Sequence, residues 1–136
     1  MKETILIVDD EPSVLSSLHR CLRNDQYDIV TTLSGEDALR VMRSQRVAVV
    51  ISDQSMVRLQ GLDFLLLVKK YCPDSVRILL TGYANVELAV AAVNQGEVFR
   101  FLTKPWDDAE LRQIVAAAMD KYHTGLNVAT GVTEYL

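Results

Sequence analysis

The sequence predicts an α/β fold: an open, doubly wound sheet of five parallel strands with helices on both faces. Three observations predict it. Short runs rich in Val and Ile alternate with longer amphipathic stretches, the alternation repeats five times, and acidic, hydroxyl or lysine residues recur where the apolar runs stop. Parallel neighbours need crossover connections, and crossovers are right-handed, so five strand–helix units wind into one sheet.

The first strand is expected in TILIVDD (4–10), followed by a helix from Pro12 to about Asn24. Pro12 suits a first helical turn, and Val14, Leu15, Leu18, Cys21 and Leu22 recur at helical spacing. YDIVTTL (27–33) reads as the second strand. SGEDALRVMRS (34–44) reads as a helix capped by Ser34, with Asp37 three residues on. VAVVIS (47–52) is a continuous apolar run of the kind buried on both faces.

Gly61 opens a helix through Lys70, which Pro73 ends. VRILLT (76–81) is the fourth strand, NVELAVAAVNQ (85–95) its helix and Gly96 the stop. FRFLT (99–103) is the fifth strand, and residues 106–122 form the last helix, striped by Leu111, Ile114, Val115, Ala118 and Met119. Residues 1–122 are thus expected to form one domain, and HTGLNVATGVTEYL (123–136) a tail or the start of a linker.

Composition narrows the function. At 136 residues the chain has the length of a single domain that buries about two thirds of its unfolded surface. It carries 14 basic against 18 acidic residues and no basic run, which disfavours direct nucleic-acid binding. Cys21 and Cys72 lack zinc spacing and read as thiols in a reducing cytosol. The N-terminus reaches acidic residues too soon for a signal peptide, and no apolar run approaches the ~20 residues of a membrane span. A cytoplasmic protein is expected.

The strand ends carry the chemistry. Asp9, Asp10 and Glu11 follow the first strand, Asp53 the third, Thr81 the fourth, and Thr103 and Lys104 the fifth. In a doubly wound sheet these residues meet at the carboxyl edge. Two carboxylates at 4 Å repel by about 4 kcal/mol at an effective dielectric of 20, so cations must compensate. A hard divalent cation fits oxygen ligands, and Lys104 adds a second positive charge. A nucleophilic carboxylate, a metal, a hydroxyl and an ammonium would together accept a phosphoryl group.

Over residues 4 to about 121 the chain resembles the receiver domain of bacterial two-component response regulators. ILIVDDEP resembles the family's acidic first-strand motif, ISDQSMVRLQGLDFL its phosphoacceptor segment, ILLTGYA its switch-hydroxyl segment and FRFLTKPW its lysine segment. The resemblance implies a flavodoxin-like strand order 2-1-3-4-5. It implies Asp53 as phosphoacceptor, and Asp9, Asp10, Asp53 and the Ser55 backbone carbonyl as ligands of Mg²⁺ or Mn²⁺. It further implies Lys104 and Thr81 in catalysis, Thr81 and Phe101 as the switch pair, and a cis bond before Pro105.

A sensor histidine kinase or phosphotransfer protein would be the donor. The chain would be no enzyme beyond catalysing its own phosphorylation and dephosphorylation. The implied output is a changed face of the fourth helix, fifth strand and fifth helix, through which relatives dimerise or contact outputs. The nearly all-apolar helix at 85–95 fits such a face. NQGEVFRFLTKPWDDAEL also resembles receivers joined to phosphodiesterase output domains of the HD-GYP type and related regulators, so the tail would lead into such an output domain, although a stand-alone receiver fits the same length.

Two departures stand out. Val57 replaces the family's usual Pro, which loosens the loop after Asp53 by up to about 1 kcal/mol. Phe101 stands where many relatives have Tyr, so only packing can report the switch. Ser55 and Tyr83 border the path of a hydrolytic water, and bulky Tyr83 predicts slow autodephosphorylation. Trp106 is expected under the fifth helix or near the site. The alternatives are a degenerate receiver that only binds partners, which the intact acidic set opposes, and a haloacid-dehalogenase-type hydrolase, which needs an Asp at position 55. A nucleotide-binding protein would need a glycine-rich loop, which DDEPS is not.

Overall fold

A computed structural model describes residues 2–129. Its strands are β1 (Glu3–Val8), β2 (Tyr27–Thr32), β3 (Val49–Asp53), β4 (Val76–Thr81) and β5 (Arg100–Thr103). Its helices are α1 (Pro12–Leu22), α2 (Gly35–Ser44), α3 (Gly61–Tyr71), α4 (Val86–Asn94) and α5 (Asp108–Ala129), with a 3₁₀ turn at Tyr83–Asn85. All strand neighbours are parallel, in the order β2-β1-β3-β4-β5. This is the doubly wound flavodoxin-like order the sequence implies.

The period-2 alternation of the central strands divides the core in two. Ile5, Ile7, Val49, Ile51, Ile78 and Leu80 face α1 and α5, where they meet Leu18, Leu111, Val115 and Tyr122. Leu6, Val8, Val50 and Leu79 face α2, α3 and α4, where they meet Ala38, Phe64, Val68, Ala89 and Ala92. Each large aliphatic side chain buried this way stabilises the fold by about 2 kcal/mol. The two layers hold β1, β3 and β4 rigidly side by side, and so fix what stands at their carboxyl ends.

Local chemistry sets the element boundaries. α1 stops at Leu22, two residues before the expected end, because the Asn24 side chain takes the Gln26 N–H (2.7 Å) and forms a turn. The expected cap of α2 is present: Ser34 Oγ accepts from the Asp37 N–H at 3.1 Å. β3 begins at Val49 rather than 47, and Asp53 is its last residue. Gly96, with φ of 72°, turns the chain from α4 towards β5.

The last helix differs most from expectation. Asp107 caps it through the Ala109 N–H (3.1 Å), leaving Trp106 outside. The helix then continues past residue 122 to Ala129, because Leu126 extends the stripe of Leu111, Val115, Met119 and Tyr122 against the core. The first part of the expected tail is therefore helical, and 130–136 lie outside the described residues. No helix among the described residues is long and apolar enough to cross a membrane.

Candidate functional site

Four strands deliver the site. Asp9 follows β1 directly, and its N–H donates to Thr32 O (3.2 Å), so the β1–β2 ladder extends under it. Asp53 and Thr81 are the last residues of β3 and β4. Lys104 follows β5, with its N–H on Thr81 O at 2.8 Å. The sheet register alone thus brings residues from four distant segments to one edge.

Ligand oxygens of Asp9, Asp10 and Asp53 lie within 4.8 Å of one another. Asp9 and Asp53 are buried, and Asp10 is exposed. Asp9 Oδ1 accepts the Glu11 N–H (2.9 Å) and its Oδ2 accepts from Lys104 Nζ (2.9 Å). The same Nζ stands 3.0 Å from Asp53 Oδ1. Three carboxylates with one ammonium leave a surplus of negative charge and hard oxygen donors, a set suited to a small divalent cation.

Burial pushes the Asp53 carboxyl above the ordinary carboxylate range and Asp9 adds repulsion, while Lys104 and the Ser55 backbone N–H oppose both without cancelling them. Burial disfavours the Lys104 ammonium, but its bonds to Asp9 and Asp53 outweigh that and raise its pKa. Thr81 is fully buried, its hydroxyl 3.3 Å from Gly82 O. Phe101 is half-buried and packs with the core cluster that contains Leu79 and Ala89.

The model of the response regulator receiver domain matches residues 5–116. The chain belongs to the response regulator receiver family. The Escherichia coli K12 transcriptional regulatory protein GlrR is 38% identical over 117 residues, 86% of this chain and 26% of that protein. The Bradyrhizobium diazoefficiens hydrogenase transcriptional regulatory protein HoxA is 33% identical over 119 residues, 88% of this chain and 24% of that protein. This receiver thus spans about a quarter of the length of these curated relatives.

Among solved structures, the signal receiver domain of an HD domain-containing protein from Pseudomonas fluorescens Pf-5 superposes with a TM-score of 0.86 at 32% identity, covering 93% of each chain. A response regulator receiver domain protein from Clostridium thermocellum gives 0.83 at 30% identity, covering 90% of this chain and 98% of that one.

The structure also decides where several further residues of this receiver stand. Tyr83 is 73% exposed and stands in solvent. Trp106 packs beside the core between α1 and α5, its Nε1 donating to Asp108 Oδ1 (3.0 Å), so it supports the end of the lysine loop from outside the carboxylate cluster. The Lys104–Pro105 bond is cis. Val57 is exposed and Arg58 takes φ of 70°, closed by the Leu59 N–H on Val57 O (2.9 Å).

Sequence reasoning missed Gln54. It is buried beside Asp53, and its Oε1 accepts the Leu62 N–H at 2.8 Å. The available signal was a long amide directly after a fully buried strand, where a polar group needs partners.

Proposed function

We propose that this receiver is a phosphorylation-controlled switch that accepts a phosphoryl group on Asp53 from the phosphohistidine of a partner kinase or phosphotransfer protein. The observation that carries this reading is the contact of one ammonium, Lys104, with both Asp9 and Asp53 beside a third carboxylate. A structural ion pair needs one acid, whereas this arrangement keeps a carboxylate at a solvent-reachable edge under a fixed cation.

In the transfer, an Asp53 carboxylate oxygen attacks phosphorus, the P–N bond breaks, and the histidine nitrogen departs with the bonding pair. Lys104 would hold a phosphoryl oxygen as charge shifts, by positioning and electrostatics rather than proton transfer. Asp9, Asp10, Asp53 and the Ser55 carbonyl would hold Mg²⁺ or Mn²⁺, which when bound neutralises charge on the phosphoryl oxygens. The new aspartyl phosphate carries up to two negative charges. Thr81 then turns its hydroxyl to a phosphoryl oxygen, and Phe101 moves into the vacated space.

The output face is α4–β5–α5, where Leu88 and Val90 lie exposed. A second copy or an attached output domain would use it. The likeness to the receiver of an HD domain-containing protein supports an HD-type output, and the two transcriptional relatives support a regulator of transcription. The chain acts in the cytoplasm and has no other enzymatic activity. Incubation with acetyl phosphate and Mg²⁺, read by intact mass, tests the reading: one added phosphoryl group that chelation abolishes supports it. A folded, Mg²⁺-binding protein that is never labelled would be a receiver that only binds partners.

A further inference from the structure

On the function proposed above, the loop after Asp53 would present the Ser55 carbonyl to the metal; residues 54–60 form no regular element, and while Met56 is buried in the core with Phe64 and Val68, its neighbour Val57 is exposed. Met56 pins the middle of the loop, and its two ends need a tie of their own. Gln54 makes three bonds in three directions. Its N–H donates to Leu80 O (2.9 Å), its carbonyl accepts the Gly61 N–H (3.0 Å), and its side-chain Oε1 accepts the Leu62 N–H (2.8 Å). The first fastens the residue to β4 beside Thr81. The other two fasten the start of α3 back onto the end of β3, so both ends of the loop are clamped by one residue.

Gly61 makes the clamp possible. A Cβ there would overlap Asp53 O and fall 2.7 Å from the Asp53 carbonyl carbon and 2.8 Å from Gln54 Cα. Ser34 caps α2 with a local hydroxyl, whereas α3 has no cap from its own N-cap residue, Gln60, and takes its partner from Gln54 instead. The side-chain bond therefore spans the whole loop rather than one helical turn.

Resting on the function proposed above, we propose that Gln54 is a positioning residue for the phosphoacceptor site, its amide clamping the loop that presents the Ser55 carbonyl. It touches no reacting atom and acts through the loop. Two kinds of variant separate clamp from bulk. Gln54→Met keeps length but has no amide oxygen, and Gln54→Asn falls one methylene short of Leu62. Gln54→Glu keeps an acceptor where a helix N-terminus favours negative charge.

The test is Mg²⁺ titration by calorimetry, with amide hydrogen exchange at Leu62 read in parallel by NMR on the metal-free protein. Gln54→Met and Gln54→Asn should each weaken Mg²⁺ about tenfold, the scale on which outer partners tune metal sites, and should speed exchange at Leu62. Gln54→Glu should match or exceed wild-type affinity and restore protection. If Met does not fold, Asn carries the comparison.

Wild-type Mg²⁺ affinity in a folded Met or Asn variant would overturn the proposal, as would a Glu variant that protects Leu62 yet binds as weakly as Met. A wild type that binds no Mg²⁺ would overturn it too. Failure of the proposed function looks different: Mg²⁺ binds and depends on Gln54, but no phosphoryl group is taken up.

Discussion

Lys104 Nζ stands 3.0 Å from Asp53 Oδ1, across two strand ends separated by β4. Lys104 is 23% exposed and Asp53 5% in their side chains, so the pair lies at the lip of the site, where a donor could approach while most water is excluded. Because the same nitrogen also serves Asp9, its loss would leave two buried carboxylates facing each other.

Lys104→Met should therefore destabilise the metal-free protein by about 1–3 kcal/mol, less than a fully buried pair because Lys104 is partly solvated. Urea unfolding in chelator measures this, and Mg²⁺ should recover part of the loss. Labelling of the folded variant at saturating Mg²⁺ should fall at least about 100-fold. A variant labelled at the wild-type rate would remove Lys104 from the chemistry.

Asp53→Asn should stabilise the metal-free protein at neutral pH by on the order of 1 kcal/mol, a few degrees in Tm. The sign follows from linkage. The folded pKa of Asp53 is raised, so the folded chain holds its proton more tightly, and wild-type stability falls as pH rises from the unfolded value of about 3.9 through the folded value. The advantage of Asn should vanish below about pH 4 and be complete above the folded pKa. Lys104 has the opposite effect: its raised pKa gives stability that is present below about pH 10.4 and lost as pH climbs through the folded value. Melting curves from pH 3.5 to 8 in chelator, a range set about these values, would show whether the gap opens in that direction.

Gly61→Ala should cost about 2 kcal/mol or more, because the added methyl meets main-chain atoms that cannot turn aside. Mg²⁺ affinity should drop with it, since the clamp on the loop must open. An unchanged Tm would mean that α3 can slide away from Asp53 at little cost.

Arg77 is half-buried and donates from Nε to Glu97 O (2.8 Å) and from a terminal nitrogen to Ser75 O (2.9 Å). It staples the start of β4 to the α4–β5 connection and meets no carboxylate among the described residues. Arg77→Met keeps the apolar stem and should cost about 2 kcal/mol in urea unfolding from the two charge-assisted bonds lost. Labelling of Asp53 should be untouched, since Arg77 lies at the opposite edge of the sheet.

The fold was legible because the central strands are apolar on both faces and the helices between them are not: Ile5–Val8, Val49–Ile51 and Ile78–Leu80 could only be interior. The acidic edge was legible for the same reason, since Asp9 follows such a run directly, Asp53 follows one after Ser52, and Lys104 stands just past the end of the fifth strand. What escaped was decided by contacts between distant segments. Leu126 follows Gly125, a residue that costs about 1 kcal/mol in a helix, so the segment read as a tail; packing against the core outweighs that cost. Gln54 looked like a loop residue because its partner, the Leu62 N–H, belongs to a helix terminus that sequence periodicity cannot assign to it. The sharing of Lys104 between two acids likewise depends on side-chain reach across the sheet, which register alone does not set.

Asp53 as the acceptor is the central claim, and acetyl phosphate labelling of wild type beside Asp53→Ala, at equal Mg²⁺ and read by intact mass, tests it most directly. The account predicts one phosphoryl group on wild type and none on the variant. Equal labelling of the two proteins would place the acceptor elsewhere and contradict it.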